Sequence, residues 1–474
     1  MFNSILPFID TFVEDLDKEL RGHSSSAALS QCQRRWLKFC LMGILLTNSV
    51  NWSAFERFGL GGYKLAALSW MFRHSKLLWP LLLQMGVRWV LRSYGIDRGV
   101  LVTDDSDVRR AKKTRRIHKA WKLFDKKTGG YVNGQSIVLL LLVTEKASLP
   151  VGFRFYQPDP KGVAWRKEDK RLRRAKVAKS DRPEPPAADA TYPDKKDLVL
   201  DLVREFTRYH PGVAIKGFLA DALFGTQAFM DEASALCGGC QTVSQLRCDQ
   251  KVRVDGKESS LAKHFASLPA KTVSIRIRGG KETKVTLCSA YLYVKAHRCK
   301  RRVIALKYAG ETDYRYVVAT DAGWRPEEVV ELYTLRWLVE VFFEDWKLYE
   351  GWGQMAKQPD EEGSCRGVIL SLLLDHALLL HPEQRARLED KAPACTVGSL
   401  RQHSQCEAFL DCIRSIVQSE NPAGQFAALA EKAKHLFPLA PSEKHMSGRT
   451  LGSLNPLPVA QTAGNVACAH TLAS

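Results

Sequence analysis

The chain has 474 residues, of which 45% are hydrophobic, so it can bury a substantial core and has room for two to four domains. This composition excludes a wholly disordered chain. The 70 Lys and Arg residues outnumber the 51 Asp and Glu residues, which gives a formal net charge of +19. Such an excess favours polyanionic partners, nucleic acid above all; a basic protein with a merely solvated surface is the alternative.

No segment indicates a membrane or secreted protein. The apolar runs "CLMGILL", "SIVLLLLV" and "VILSLLLDHALLL" are too short or too interrupted to span a bilayer. The N-terminus has no basic region of the kind that begins a signal peptide. Twelve scattered cysteines then predict reduced thiols in a cytoplasm. The spacing of Cys237 and Cys240 alone does not indicate a zinc site.

The first part of the chain, residues 1–95, predicts helices, because apolar residues recur every three or four positions. Strand-like runs follow, among them "GVLVTDD", "GQSIVLLLLVTE" and "LPVGFRFYQ". After the helical stretch "DLVLDLVREFTRYH" comes another buried strand, "VAIKGFLAD". This alternation predicts an α/β sheet. Functional residues of such sheets lie beyond the carboxyl ends of the strands, where this chain has Asp104, Asp105 and Asp221.

Three further segments are strongly basic. Residues 157–194 predict a basic helix followed by a Pro- and Ala-rich link. Residues 109–127 contain ten basic residues and one acid, and would lie beside the first aspartates. Within a β-rich region, residues 271–302 contain ten basic residues and one acid, with Tyr291 and Tyr293 interleaved. These segments suit nucleic-acid contact, although basic residues that protect an edge strand are an alternative for the last.

The stretch "YTLRWLVEVFFEDWK", residues 333–347, predicts an amphipathic helix with an unusual polar stripe. Pro326 and the two glutamates after it predict the start of this helix. At about 100° per residue, four polar side chains fall within about 60° of one another, namely Tyr333, Arg336, Glu340 and Lys347. Apolar residues occupy the opposite side: Leu335, Leu338, Val339, Phe342 and Trp346. Glu344 and Trp337 border the stripe.

Three carboxylates with this context suggest two-metal phosphoryl transfer. Asp105 and Asp221 end strands and Glu340 is on a helix, and hard oxygen ligands of this kind hold two Mg²⁺ ions, for which Mn²⁺ can substitute. One ion activates a water or 3′-hydroxyl, and the other stabilises the leaving oxygen. Asp104 and Asp107 compete with Asp105 for the first position.

The Tyr, Arg, Glu and Lys spacing resembles the YREK signature of DDE cut-and-paste DNA transposases of the insertion-sequence-four family. "TDDS" is similar to the first-aspartate motif of that family and "FLADALFG" to its second-aspartate strand, so the likeness covers roughly residues 100–380. It favours Asp105, because this residue directly precedes Ser106. The resemblance implies a ribonuclease-H-like catalytic core interrupted by a β-rich insertion, with helical N- and C-terminal regions.

The same resemblance implies the roles of the site residues. Asp105, Asp221 and Glu340 would be catalytic and bind the metal ions, while Tyr333, Arg336 and Lys347 would contact DNA phosphates. Trp337 would stack on a displaced base or simply pack. Some relatives hold that base with a tryptophan in the β-rich insertion, which this chain lacks; Tyr291, Tyr293 or Tyr308 would substitute, or the hairpin step would differ.

The implied organisation has five parts: residues 1–95, a helical domain that binds the DNA ends; 96–240, the first part of the core; 241–320, the β-rich insertion; 321–385, the second part of the core; and 386–474, a helical region with a disordered tail. The partners would be terminal inverted repeats and target DNA, bound by a homodimer in a bacterial, nucleoid-associated complex. The alternatives are a DNA-binding regulator or transposition inhibitor without catalysis, and a nuclease that cuts but does not join strands.

Overall fold

The computed structural model describes residues 5–59, 62–110, 117–125, 128–278 and 280–434. The chain divides into two compact units, residues 1–420 and residues 421–474. The predicted disordered tail after about residue 440 lies outside the described residues, as do parts of the basic segment 109–127 and Gly279 of the predicted hairpin turn.

The first unit begins with five helices, as the apolar spacing predicted: α1 Pro7–His23, α2 Gln31–Thr47, α3 Trp52–Phe58, α4 Leu65–His74 and α5 Trp79–Tyr94. Local signals set their ends. Ser30 and Gln33 form a capping box at the start of α2. Gly95 ends α5 in the left-handed conformation, with φ of 59°.

Five strands then form the central part of the sheet: β1 Arg98–Arg109, β2 Trp121–Asp125, β3 Gly130–Val143, β4 Ser148–Tyr156 and, after helices α6 Pro160–Arg174 and α7 Lys195–Tyr209, β5 Ala214–Leu219. Helix α8 Gln227–Leu236 leads to β6 Gln241–Leu246. Strands β1, β3 and β4 are antiparallel neighbours, and β5 and β6 continue the sheet parallel to β1. This order is that of a ribonuclease-H-like core and confirms the predicted fold class.

The remaining strands extend the same sheet rather than forming a separate one. They are β7 Lys251–Val254, β8 Lys257–Ser260, β9 Lys271–Ile277, β10 Lys281–Val294, β11 Cys299–Tyr308 and β12 Arg315–Ala319, with the short helix α9 Leu261–Ala266 between β8 and β9. Strand β12 pairs with β6, and the order continues through β11 and β10 to β7 and β8. The segment 241–320 therefore begins with a strand that completes the core.

Helices cover both faces of the sheet. The first unit ends with α10 Pro326–Thr334, α11 Trp337–Tyr349, α12 Glu361–Leu379, α13 Pro382–Glu389 and α14 Val397–Val417. One hydrophobic cluster joins α1–α5, α10–α12 and one face of the sheet, and a second joins α7 and α8 to the other face. Close packing of α5 on α12 requires Gly86, since a Cβ there would lie 2.6 Å from His376 Nδ1.

The N-terminal helices thus share a core with the rest of the first unit. Two of their cations are also engaged internally: Arg34 and Lys38 form ion pairs with Asp10, Glu14 and Asp17 of α1. Among the described helices, none is by itself long and apolar enough to cross a membrane, although α12 and α13 together, bent by 50°, meet that test on length and composition. In the second unit, the described part forms helix α15 Pro422–Ala433.

Candidate active site

The candidate site lies beside the second half of β1 and just beyond the carboxyl end of β5. The prediction that Asp104 and Asp105 end a strand is wrong, because β1 continues past them to Arg109 in antiparallel pairing with β3, whereas Asp221 does follow the end of β5. Val102 of β1 pairs with Leu219 of β5 in parallel register, so Asp104 and Asp221, each two residues further on, reach the same level. Val102 and Leu219 both belong to the hydrophobic cluster that contains Val339 of α11. Because side chains alternate along a strand, Asp104 continues this row and faces α11.

Arg336 connects the first strand with the helix. Its Nη1 donates to Asp104 Oδ2 at 3.1 Å, and its Nη2 donates to Glu340 Oε1 at 2.5 Å. The guanidinium also lies over the Tyr333 ring, 6.0 Å from its centroid. Asp104 and Glu340, which are 236 residues apart in the chain, therefore share one cation. Only the folded chain brings these carboxylates together.

The chain departs here from the single helix predicted for residues 326–347. Helices α10 and α11 are separate, and Leu335 and Arg336 form a tight turn between them. In this turn the N–H of residue i+3 donates to the carbonyl of residue i, as Val339 N does to Arg336 O at 3.2 Å. The polar stripe is therefore divided, with Tyr333 on α10 and Glu340 on α11, and Arg336 sits at the junction.

Asp105 lies on the opposite side of β1 from Asp104. Its Oδ2 accepts from Lys195 Nζ at 2.6 Å, at the first residue of α7. Lys195 also lies over the Tyr156 ring at 4.9 Å. Asp105 and Lys195 each expose 19% of their side chains, so this ion pair is largely shielded from solvent. The favoured first aspartate of the sequence motif is thus engaged away from Glu340.

Asp221 stands at the start of a short 3-10 turn, residues 222–224. Its Oδ1 accepts from Leu223 N at 2.8 Å, and its carbonyl accepts from Ser244 Oγ at 2.6 Å. These two bonds hold the carboxylate at the end of β5, between the core strands β5 and β6. The sequence predicted this position correctly as the end of a buried strand.

The aspartates are close enough to perturb one another. Burial, and then the neighbouring Asp221 carboxylate, raise the pKa of Asp104 to about 7, against the opposing charge of Arg336. Burial also raises the pKa of Asp221, and Asp105 adds to that rise. Desolvated carboxylates that repel each other are the kind of group that a cation stabilises.

The donor set fits a divalent metal ion in chemistry, since carboxylate oxygens are hard ligands. Asp221, Glu340 and either Asp104 or Asp105 are the side chains that would hold it. In the described ranges, however, no group of three or more His, Cys, Asp or Glu side chains is arranged to hold a metal ion. The reason visible at this site is Arg336, whose guanidinium lies between Asp104 and Glu340. Arg336 occupies one oxygen of each of these carboxylates, Asp104 Oδ2 and Glu340 Oε1.

The other predicted DNA-contacting residues lie around this centre. Lys347 Nζ donates to Ser106 Oγ at 2.5 Å and to the Asp107 carbonyl at 3.0 Å, which joins α11 to the end of β1. Burial raises the pKa of Tyr333 to about 12, so its phenol stays protonated at neutral pH. Trp337 is 45% exposed, and Glu344 is exposed as well.

A cavity beside Trp337 contains residues that sequence reasoning did not assign. The Arg278 guanidinium lies over the Trp337 ring at 5.2 Å, and Arg315 lies over Tyr308 at 5.7 Å. These four side chains, with Tyr333 and Arg336, line a cavity of about 250 Å³. Of the three tyrosines considered for the β-rich segment, Tyr308 is the one in this lining. The local signal was the basic β-rich composition, which did not indicate which residues meet Trp337.

Comparison with known proteins identifies the family of the chain. Residues 26–264 match the family described as DDE superfamily endonuclease, which is half of the chain and includes Asp104, Asp105 and Asp221. Glu340 and the Tyr, Arg and Lys positions lie beyond the matched residues. No curated protein matches the chain significantly. The chain therefore belongs to the DDE superfamily endonuclease family.

Proposed function

We propose that the protein is a DNA transposase of the YREK group, which excises and inserts a DNA element by metal-dependent phosphoryl transfer. The carrying observation is that Arg336 joins Asp104 of β1 to Glu340 of α11, at the level of Asp221 beyond the end of β5. A DNA-binding protein without catalysis does not need three carboxylates around one arginine, two of which, Asp104 and Asp221, are desolvated by burial.

The roles of the side chains follow from their chemistry. Bound Mg²⁺ or Mn²⁺ would activate a water or 3′-hydroxyl and stabilise the leaving oxygen. Arg336 is placed to exchange its carboxylate partners for a DNA phosphate, to which a guanidinium binds bidentately. Lys347 supplies a point charge at the end of β1, and Tyr333 offers a phenolic donor next to Arg336.

The first metal-binding aspartate is either Asp104 or Asp105. The motif favours Asp105, which precedes Ser106, whereas the contacts favour Asp104, which faces Arg336 and Glu340. We infer that Asp104 binds the metal together with Asp221 and Glu340. In this proposal Asp105 orients Lys195 instead.

The test uses the full-length protein and a plasmid that carries its gene with the native flanking DNA. Wild type should excise the element in Mg²⁺, and Glu340→Gln should bind the same DNA but not cut it. Excision by Glu340→Gln at the wild-type rate would contradict the site. A wild type that binds the flanking DNA specifically without cutting it would favour the regulator.

Joining of strands separates a transposase from a simple nuclease. Element ends that are already cut, with free 3′-hydroxyl groups, should be joined to a target plasmid by wild type and not by Glu340→Gln. Cleavage of the uncut substrate without any joining would favour the nuclease. We propose that two protomers pair the two ends, so the joined products should contain both ends of the element.

A further inference from the structure

Helix α6 is an exposed basic helix that the proposed chemistry does not use. None of its residues is buried. Relative to Arg166, and at about 100° per residue, five exposed cations lie within an arc of about 120°, namely Arg166, Lys167, Lys170, Arg173 and Arg174. We call these five residues the α6 basic face. No acidic residue of α6 falls within that arc.

The opposite side of α6 is attached to the chain that returns from it. Trp165 Nε1 donates to the Pro183 carbonyl at 2.7 Å, and Asp169 pairs with Arg182 at 2.8 Å. Leu172 is partly buried on the same side as Trp165. The largest apolar side chains of α6, Trp165 and Leu172, therefore face the return segment, and the α6 basic face, which also carries the exposed Val163, points away from it. A helix that lies on a membrane needs its apolar side exposed, so this orientation disfavours a lipid partner.

The segment that contains α6 leaves and rejoins the core at the candidate active site. It follows β4, which ends at Tyr156, and it precedes α7, which begins at Lys195. Lys195 contacts both the Tyr156 ring and the Asp105 carboxylate. The charge of Arg166 also opposes the burial that raises the pKa of Tyr156, which places that guanidinium near the phenol. The α6 basic face thus starts close to Asp105, the neighbour of Asp104 on β1.

We propose that α6 is a DNA-contacting helix that holds duplex DNA next to the phosphate to be cut. This inference rests on the proposed function and assigns a substrate surface to it. A helix of 15 residues is about 22 Å long, close to the length of six base pairs, and the major groove admits a helix. Five cations over that length are opposite in sign to the phosphates of a duplex, of which about 13 lie along about 22 Å, so the helix can neutralise part of that charge.

Two triple variants of equal charge provide the test. Arg166→Gln, Lys170→Gln and Arg173→Gln remove one row of the α6 basic face. The matched control, Lys161→Gln, Arg171→Gln and Lys179→Gln, removes three cations of the same segment outside that face; Arg171 is held by Glu168 at 2.6 Å. All six side chains are exposed, and glutamine is a good helix former, so both proteins should fold, as circular dichroism would verify.

The measurement is anisotropy of a labelled duplex of about 40 base pairs in EDTA, from about 50 to about 200 mM salt. For the triple variant in the α6 basic face, binding should weaken about tenfold, and the slope of log K against log salt should become shallower by about 2 to 3. The control variant should show a much smaller loss of affinity and a much smaller change in the salt slope. A photoreactive residue at position 170 should cross-link to the duplex more strongly than one at position 171.

The outcomes separate this inference from the proposed function. If wild type cuts DNA but both triple variants bind like wild type, or weaken equally, the inference fails and the function stands. If binding depends on the α6 basic face but wild type cuts nothing, the inference stands and the catalytic proposal fails. If wild type does not bind the duplex, both fail.

Discussion

Asp104 and Asp105 are adjacent in the chain but belong to two different environments. Asp104 faces α11, where Arg336 links it to Glu340, and Asp105 faces α7, where Lys195 neutralises it. The alternation of a β-strand separates them by half a turn, so one residue decides which side chain reaches the third carboxylate. Neighbouring acids in a motif are therefore not interchangeable. The proposed metal-binding role of Asp104 can be tested against the proposed role of Asp105 in orienting Lys195.

The largest expected effect comes from exchanging these two aspartates separately for asparagine. Asp104→Asn should lower Mg²⁺-dependent cleavage by about a thousandfold or more, as should Glu340→Gln, because a metal ligand is lost. Asp105→Asn should lower it by about tenfold or less, through the displaced Lys195. Single-turnover cleavage of the flanking DNA measures both. The reverse order would assign the metal to Asp105, as the sequence motif favours.

Double-mutant cycles should distinguish the Asp104–Arg336 pair from the Asp105–Lys195 pair. The first pair should show coupling in the cleavage rate, and the second in the free energy of unfolding. Asp104→Asn with Arg336→Gln should show strong non-additivity in the cleavage rate, since both act on the reacting phosphate. Asp105→Asn with Lys195→Gln should couple by about 1 kcal/mol in the free energy of unfolding, because both groups are shielded from solvent. Equal coupling of both pairs in both measurements would remove the distinction.

The pH dependence of stability should also report Asp104. Folding raises its pKa from 3.8 to about 7, so the folded state holds the proton more tightly than the unfolded state. Its stabilising contribution is complete below about pH 4 and is lost as the pH rises towards 7. Across that window wild type should lose at most about 4 kcal/mol relative to Asp104→Asn. Urea unfolding in EDTA measures this, and parallel pH profiles would contradict it.

The smallest effect is expected beyond Arg336, in the cavity beside Trp337. Trp337→Ala should reduce cleavage about tenfold if the ring stacks on a displaced base, and Trp337→Phe should restore most of the rate. Binding of the uncut duplex should change little, because the base is still stacked in that state. A Trp337→Ala variant with the wild-type cleavage rate would assign this ring to packing.

Much of the fold was predictable because its signals are local. Apolar spacing predicted the N-terminal helices, the strand that precedes Asp221, observed as β5, and the helix before that strand, observed as α7. Pro326 and the two glutamates after it marked the start of α10, which begins at that proline. The break at Leu335 and Arg336 was not predictable, because residues 326–347 have no glycine or internal proline to interrupt the periodicity.

The sequence by itself determined the chemistry of the site: a basic chain, aspartates that follow buried apolar runs, and a glutamate spaced with a tyrosine, an arginine and a lysine. Only the tertiary structure decided which aspartate faces that glutamate. The choice depends on the parallel pairing of Val102 with Leu219 and on the side of β1 that α11 covers. These are contacts between residues more than 100 positions apart, and local composition carries no information about them.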